Sequence, residues 1–337
     1  MDPTQIRKQR QDVEVEPALV RRRIRCPQVS GVSMITPFHS GQPATEFSDP
    51  ATFHQRLARW NNRRLAPGVP TDDWRLQAAE DADMTLIEGG FVERARAEIS
   101  GMLGDLPTDV DGFIAWFEGL KGKGPGEGDP LFPWLAEAAN LEQMRWFLLQ
   151  EVAGEAGFED LVAMAQVKMP TRPKLELARN YWDEMGRGSE GGMHGPMLQR
   201  LADALDLRPT IEETVWPSLA LGNTLVAFST SRRYAFHALG ALGAVELTAP
   251  WRAGHVAAGL KRLGVGSERK YFALHATLDV EHSRTWNEEV LRPLAAEYPD
   301  CIRSLAEGAV MRLAAGARCY ESYRAHLWET TPLLQSA

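Results

Sequence analysis

His275, Asp279 and His282 stand in the spacing H-x3-D-x2-H within Tyr271–Val290, a run with no glycine or proline and enough apolar residues to continue as a helix. At about 100° per residue, positions i, i+4 and i+7 fall within an arc of roughly 60°, so one helical face carries two imidazoles and a carboxylate. Two neutral nitrogens and one hard oxygen suit a first-row metal such as iron or manganese better than calcium, magnesium or a thiolate-held zinc. The alternative is a polar stripe in which Asp279 pairs with exposed histidines.

Further candidates lie upstream. Glu184 ends the helical run that contains Asn180-Tyr181-Trp182-Asp183-Glu184-Met185-Gly186; after the loop Arg187–Gly192, His194 opens the next helix, so the chain break lets Glu184 and His194 converge. Glu246 sits in an otherwise apolar stretch, where an ionised carboxylate is costly to bury without a partner. Glu151 terminates the run Trp146-Phe147-Leu148-Leu149, and Glu155, one turn on, competes with it for an inward position. Taken singly, each also reads as a solvated acid or an ordinary helix-end residue. A dinuclear iron site in a helical bundle needs about four carboxylates and two or three imidazoles. The chain has no E-x-x-H, so the ferritin-like form of such a site is absent.

The elements that would position these groups are helical. The spans Phe53–Leu65, Asp72–Leu103 and Asp109–Leu120 are amphipathic, and the Gly-rich loop Lys121–Pro130 after them lacks the Gly-Lys-Ser/Thr ending of a phosphate cradle and reads as a hinge. Helices are then expected over Leu131–Asn140, Leu141–Ala153, Phe158–Gln166, Lys174–Met185, Met193–Leu205, Ile211–Phe228, Tyr234–Leu247, Trp251–Leu263, Ser267–Val290 and Ala295–Trp328, with a break at Pro250. No G-x-G-x-x-G follows a strand and no fixed-period repeat is visible, which excludes a nucleotide-binding α/β fold and a solenoid. An all-α bundle of about seven core helices follows, with residues 1–50 as a flexible arm that includes an extended piece near Val29–Pro37. Residues 51–129 read as a helical N-terminal extension and 130–337 as the catalytic domain.

Composition bounds the rest. A chain of 337 residues, 44% hydrophobic, can bury a large core. The three cysteines, Cys26, Cys301 and Cys319, lack paired spacing, which points away from disulfides and zinc ribbons and toward a reducing cytoplasm. No apolar signal region or membrane-spanning run is present. The net charge of −8, with the one basic run (Arg21–Arg25) in the arm, argues against a nucleic-acid footprint.

The order Leu141-Glu142-Gln143-Met144-Arg145 … Glu151, then Leu175–Gly186 … His194, then Glu246, then the H-x3-D-x2-H run resembles the heme-oxygenase-like diiron oxidases and oxygenases, often described as iron-containing redox enzymes. The resemblance covers about residues 130–320. It implies a seven-helix fold that holds two Fe(2+) ions in place of heme and uses O2. By position, it implies Glu151, Glu184, His194, Glu246, His275, Asp279 and His282 as ligands. The ten-residue separation of Glu184 and His194, and the extra carboxylate Glu246, look like the branch that N-oxygenates amines; carbon-centred oxidation and a metal-free binding protein are the rival readings. Asn180, Asp183 and His237 are candidates to orient the ligands. Arg232, Arg233 and Tyr234 are candidates to hold a substrate carboxylate, and Trp146, Trp182, Phe228 and Phe272 to line a pocket. A small amine or amino-acid substrate, an external electron donor and a homodimer complete the expectation, with no nucleic acid and no membrane.

Overall fold

Helix starts follow the local chemistry. In the computed structural model, which describes residues 49–154 and 157–329, Asp49 accepts from the amides of Ala51 and Thr52 and Pro50 occupies the first turn, so α1 runs Pro50–Leu65 with Arg63 and Arg64 in its last turn. Asp109 caps Gly112 and opens α3. The helices are α1, α2 (Trp74–Glu98), α3 (Val110–Lys123), α4 (Leu131–Glu137), α5 (Leu141–Gly154), α6 (Phe158–Ala165), α7 (Thr171–Glu184), α8 (His194–Ala204), α9 (Trp216–Thr230), α10 (Ala235–Arg262), α11 (Lys270–Thr285), α12 (Arg292–Glu297) and α13 (Ile302–Glu329). The fold is all-α; among the described residues the one β-bridge joins Met185 to Met193. The expected arm, up to residue 48, and Glu155 lie outside the described residues.

α10 is apolar on nearly every face and forms the centre, packed by α4, α9, α11 and α13. Its contact with α13 is glycine-mediated: a Cβ on Gly240 would lie 1.9 Å from the Leu305 carbonyl oxygen, and one on Gly308 would lie 2.0 Å from that of His237. No side chain fits at this crossing. α1 packs on α2 and α9, and α3 on α10 and α12. Beside a small apolar cluster of Leu57, Trp60 and Met84 on α1 and α2, two large ones result. One gathers Phe117, Leu161, Leu242 and Leu305, and the other Phe132, Phe147, Leu201 and Leu260. Along α10 the first ends at Leu247 and the second begins at Ala253, and the cavity described below lies in that interval.

Several boundaries differ from expectation. Pro250 does not divide α10, which continues for 28 residues. Proline's fixed φ is compatible with a helix, and the cost of about 3 kcal/mol for its missing N–H and ring clash is met by burial on both sides. The helix expected over Ser267–Val290 changes to a wider π-turn at Trp286–Leu291, where Trp286 donates to the Leu239 carbonyl of α10. The helix expected from Ala295 is interrupted at Tyr298-Pro299, and that expected from Ile211 begins only at Trp216. The loop read as a hinge is clamped: Glu127 pairs with Arg252 at 2.8 Å, and Gly126 lies against Ala317 of α13. No helix among the described residues is long and apolar enough to cross a membrane.

Candidate metal centre

The turn between α7 and α8 brings the first two side chains together. Gly186 has φ +60°, and a Cβ on it would lie 2.3 Å from the Gly192 carbonyl carbon, so only glycine allows the two arms of the loop to approach this closely. Glu184 is thereby the last residue of α7, His194 the first of α8, and Glu184 Oε2 stands 2.5 Å from His194 Nδ1.

α11 supplies the imidazoles of the H-x3-D-x2-H face. His275 donates through Nδ1 to the Tyr271 carbonyl at 2.7 Å, which leaves Nε2 with its lone pair free, and its ring meets that of His194 at 4.6 Å. Two turns on, His282 Nδ1 lies 3.5 Å from Glu246 Oε2 and 3.7 Å from Asp279 Oδ1, while its Nε2 faces Asp183 Oδ2 at 3.2 Å. Asp183 is held in turn by Arg187. Glu246 accepts from Asn180 Nδ2 at 2.6 Å. The stretch Asn180-x-x-Asp183-Glu184 thus contacts three helices from one helix end.

These side chains form two groups that share Glu184. Glu184, His194 and His275 make one, and Glu184, Glu246 and His282 the other; within each, one ligand atom from every residue lies within 4.8 Å of the rest. Five of the seven predicted ligands are therefore clustered. Asp279 is buried beside His282 and faces the same cavity. Glu151 also reaches that cavity, but it does so elsewhere, accepting from the Tyr323 hydroxyl at 3.1 Å.

The electrostatics are those of a site built for a cation. Burial and the neighbouring Glu246 carboxylate raise the Glu184 carboxyl well above its usual range, with Glu159 and Asp183 adding to the effect. Burial depresses His194, and burial together with His194 lowers His275 to about 4. Against burial, the Glu246 carboxylate holds His282 up to about 9. His194 Nδ1 and His282 Nδ1 are buried and make no hydrogen bond, although carboxylate oxygens stand close by. Lone pairs and carboxylate oxygens aimed at common points, without thiolates, fit a hard or borderline ion such as iron.

Sequence reasoning missed Glu159. It opens α6, acts electrostatically on both Glu184 and His194, and places Oε1 2.7 Å from where a Gly195 Cβ would stand. It reads locally as an ordinary acid in a first helical turn. Its one signal is its place three residues before the buried Val162, on the same face. Other expectations resolve differently. His237 pairs with Glu307 at 3.0 Å in a separate cluster with Arg96. Arg233 and Tyr234 both bind Glu93, and Arg232 reaches the Met164 carbonyl. Of the four aromatics, Phe272 lines the cavity; Trp146 stacks on His326, Trp182 is exposed over Gly188, and Phe228 lies in the core.

A helical bundle closing on two carboxylate and imidazole groups is the arrangement that a metal-binding protein needs. The family model for iron-containing redox enzymes matches residues 145–317, and the chain belongs to that family. It is accordingly an iron-containing oxidoreductase. Among solved structures it is similar to a CADD-like protein of unknown function from Nostoc punctiforme PCC 73102, with 18% identity and a TM-score of 0.48 over 67% of this chain and 99% of that one. No curated protein matches the chain.

Proposed function

We propose that the protein is a non-heme diiron monooxygenase that uses O2 to N-oxygenate an amine or amino-acid-derived substrate, to a hydroxylamine or nitro product, in specialised metabolite biosynthesis. The observation that carries this reading is the sharing of Glu184 between two buried ligand groups, which suits a carboxylate common to two ions. Glu184, His194 and His275 would hold one iron, and Glu184, Glu246 and His282 the other, with Asp279 beside the second. Glu159, which acts electrostatically on Glu184 and His194, is the candidate for a further carboxylate near His194, alongside Glu151, which lines the cavity. When bound, two ferrous ions supply the electrons and the open positions for O2 that no side chain here offers. Formation of a hydroxylamine, R–NH2 + O2 + 2e− + 2H+ → R–NHOH + H2O, would take its two electrons from an external donor.

The chain's own groups do the positioning. Asn180 and Asp183 fix Glu246 and His282, the Tyr271 carbonyl fixes the His275 tautomer, and Phe158, Leu225 and Val256 form part of the apolar wall of a cavity of about 150 Å³. A metal-free nucleophilic cysteine is disfavoured: Cys319 is buried, and burial pushes its thiol up to about 12.

Anaerobic loading with ferrous iron, followed by oxygen and a panel of amines, tests the reading. Two irons per chain and hydroxylamine or nitro products on mass spectrometry are expected. Alkene, aldehyde or chain-cleaved products would move the chemistry to carbon, and a chain that neither takes up iron nor consumes oxygen would return it to metal-free binding. A cytoplasmic setting and a homodimer belong to the same proposal, and sedimentation of the loaded protein tests the dimer.

A further inference from the structure

α10 lines the cavity along one face. Glu246, Ala249, Ala253 and Val256 succeed one another at helical spacing, and Arg252 stands six residues beyond Glu246, about 9 Å along the axis at 1.5 Å per residue. The two ends of the cavity are chemically opposed. One holds the carboxylate and imidazole groups. At the other, the lining includes Arg252, with Arg312, Tyr320 and Tyr323 of α13 and Ser218 of α9, and the Glu151 carboxylate bonded by Tyr323 is among them.

The two arginines are not equivalent. Arg252 is already neutralised by Glu127 at 2.8 Å, and its second nitrogen donates to Thr248. Arg312 is only 8% exposed, lines the cavity, and among the described residues forms no ion pair; the Tyr320 hydroxyl bonds it and Glu127 and Glu151 act on it electrostatically, but its Nε and Nη1 are buried without an acceptor. A buried guanidinium with two unused donors is costly unless an anion completes it. Gly316, one turn further along α13, leaves room beside it. A Cβ there would stand 3.0 Å from Arg312 Nη1 and 3.3 Å from the Tyr320 hydroxyl. The carboxylate on this side, Glu151, is engaged by Tyr323.

We propose that Arg312, with the Tyr320 hydroxyl, is a subsite for a substrate carboxylate, so that the substrate is an amino acid whose acid group sits at this end and whose reacting nitrogen lies toward Glu184 and His275. This deepens the reading given above and rests on it for the identity of the reacting group. The apolar middle of the cavity, with Leu221, Ala253 and Phe272, then takes a hydrocarbon spacer. Arg252 contributes charge nearby but no free donor pair. The guanidinium supplies directional charge-assisted hydrogen bonds, which an amide or an alkyl end cannot match.

The test measures binding by calorimetry to the full chain, iron-loaded and iron-free in parallel. The probes are linear ω-amino carboxylates of four to eight carbons, the corresponding carboxamides and the simple alkylamines. The best acid should bind at least about ten-fold tighter than its amide. Arg312→Met should erase that preference without changing iron content, and Tyr320→Phe should reduce it. Acids that bind no better than amides, or do not bind, overturn the proposal, as does an Arg312→Met protein that keeps the preference, which would make Arg312 an internal counter-charge for Glu151. If Arg312→Met does not fold, the wild-type comparison and Tyr320→Phe still decide. A preference that persists in protein unable to take up iron would sink the diiron reading and leave the subsite standing.

Discussion

Asn180 donates its side-chain amide to Glu246 over 2.6 Å, tying the end of α7 to the middle of α10. Without that bond, Glu246 would be free to turn away from His282. Asn180→Ala should therefore weaken iron binding at the Glu246 and His282 position by about 10–100-fold while leaving helical content unchanged. Titration with ferrous iron under anaerobic conditions reads the effect; two sites of unaltered affinity would show that Asn180 does not orient a ligand.

Glu159 and Glu151 make opposite predictions. Glu159→Gln should reduce the iron content toward one per chain, because it removes a carboxylate next to Glu184 and His194. Glu151→Gln should leave two irons bound. Elemental analysis of the two purified variants decides between them, and the reverse pattern would restore Glu151 as the ligand.

Gly186→Ala should cost about 1–3 kcal/mol through its left-handed backbone alone, and more through collision with Gly192. The damage should concentrate at the metal site, since the loop holds Glu184 against His194. A variant with a lowered Tm and with His194 no longer able to protect bound iron from a chelator is expected; a fully loaded, equally stable variant would refute the role of the turn.

His54 predicts an acid limb in the stability profile. Burial, then the charges of Arg318 and Arg94, lowers its folded-state pKa to about 4 from an ordinary 6.5. Between those values the unfolded chain takes up the proton and the folded chain does not, so stability falls as pH drops through that window, by roughly 3 kcal/mol at most. His54→Phe keeps a ring against Trp216 and keeps the backbone carbonyl that Asn223 uses, so it should flatten this limb. Urea denaturation at several pH values measures it, and an unchanged slope would assign the acid limb to other groups.

What could be read from the sequence is what is local. The amphipathic periods that mark α5, α7 and α11 are written within each segment, and so is the face shared by His275, Asp279 and His282. Glu184 and His194 were legible because a glycine-rich break of nine residues separates them. Glu246 was legible as a charge in an apolar run. Glu159 was not, because a carboxylate in a first helical turn has an adequate local reason to be there, and what distinguishes it from Glu151 is the packing of α6 against α7 and α8. The continuity of α10 past Pro250 and the turning of Arg312 into the cavity depend on contacts between segments distant in sequence. The partners of the residues put forward at Arg232, Arg233 and Tyr234 were hidden for the same reason: Glu93, which Arg233 and Tyr234 bind, lies 140 residues from Arg233, and Arg232 reaches the Met164 carbonyl.

The glycine crossing of α10 and α13 also bears on how such a protein diversifies. Glu246 and Arg252 ride on one uninterrupted helix, Arg312 on the other, and the two backbones meet at Gly240 and Gly308 with no side chain between them to be remodelled. Enlarging either glycine would force the helices apart along with everything mounted on them. Selection for a new substrate is therefore channelled to the small residues in between, Ala249 and Ala253, where added methyl groups shorten the chamber while the frame stays fixed.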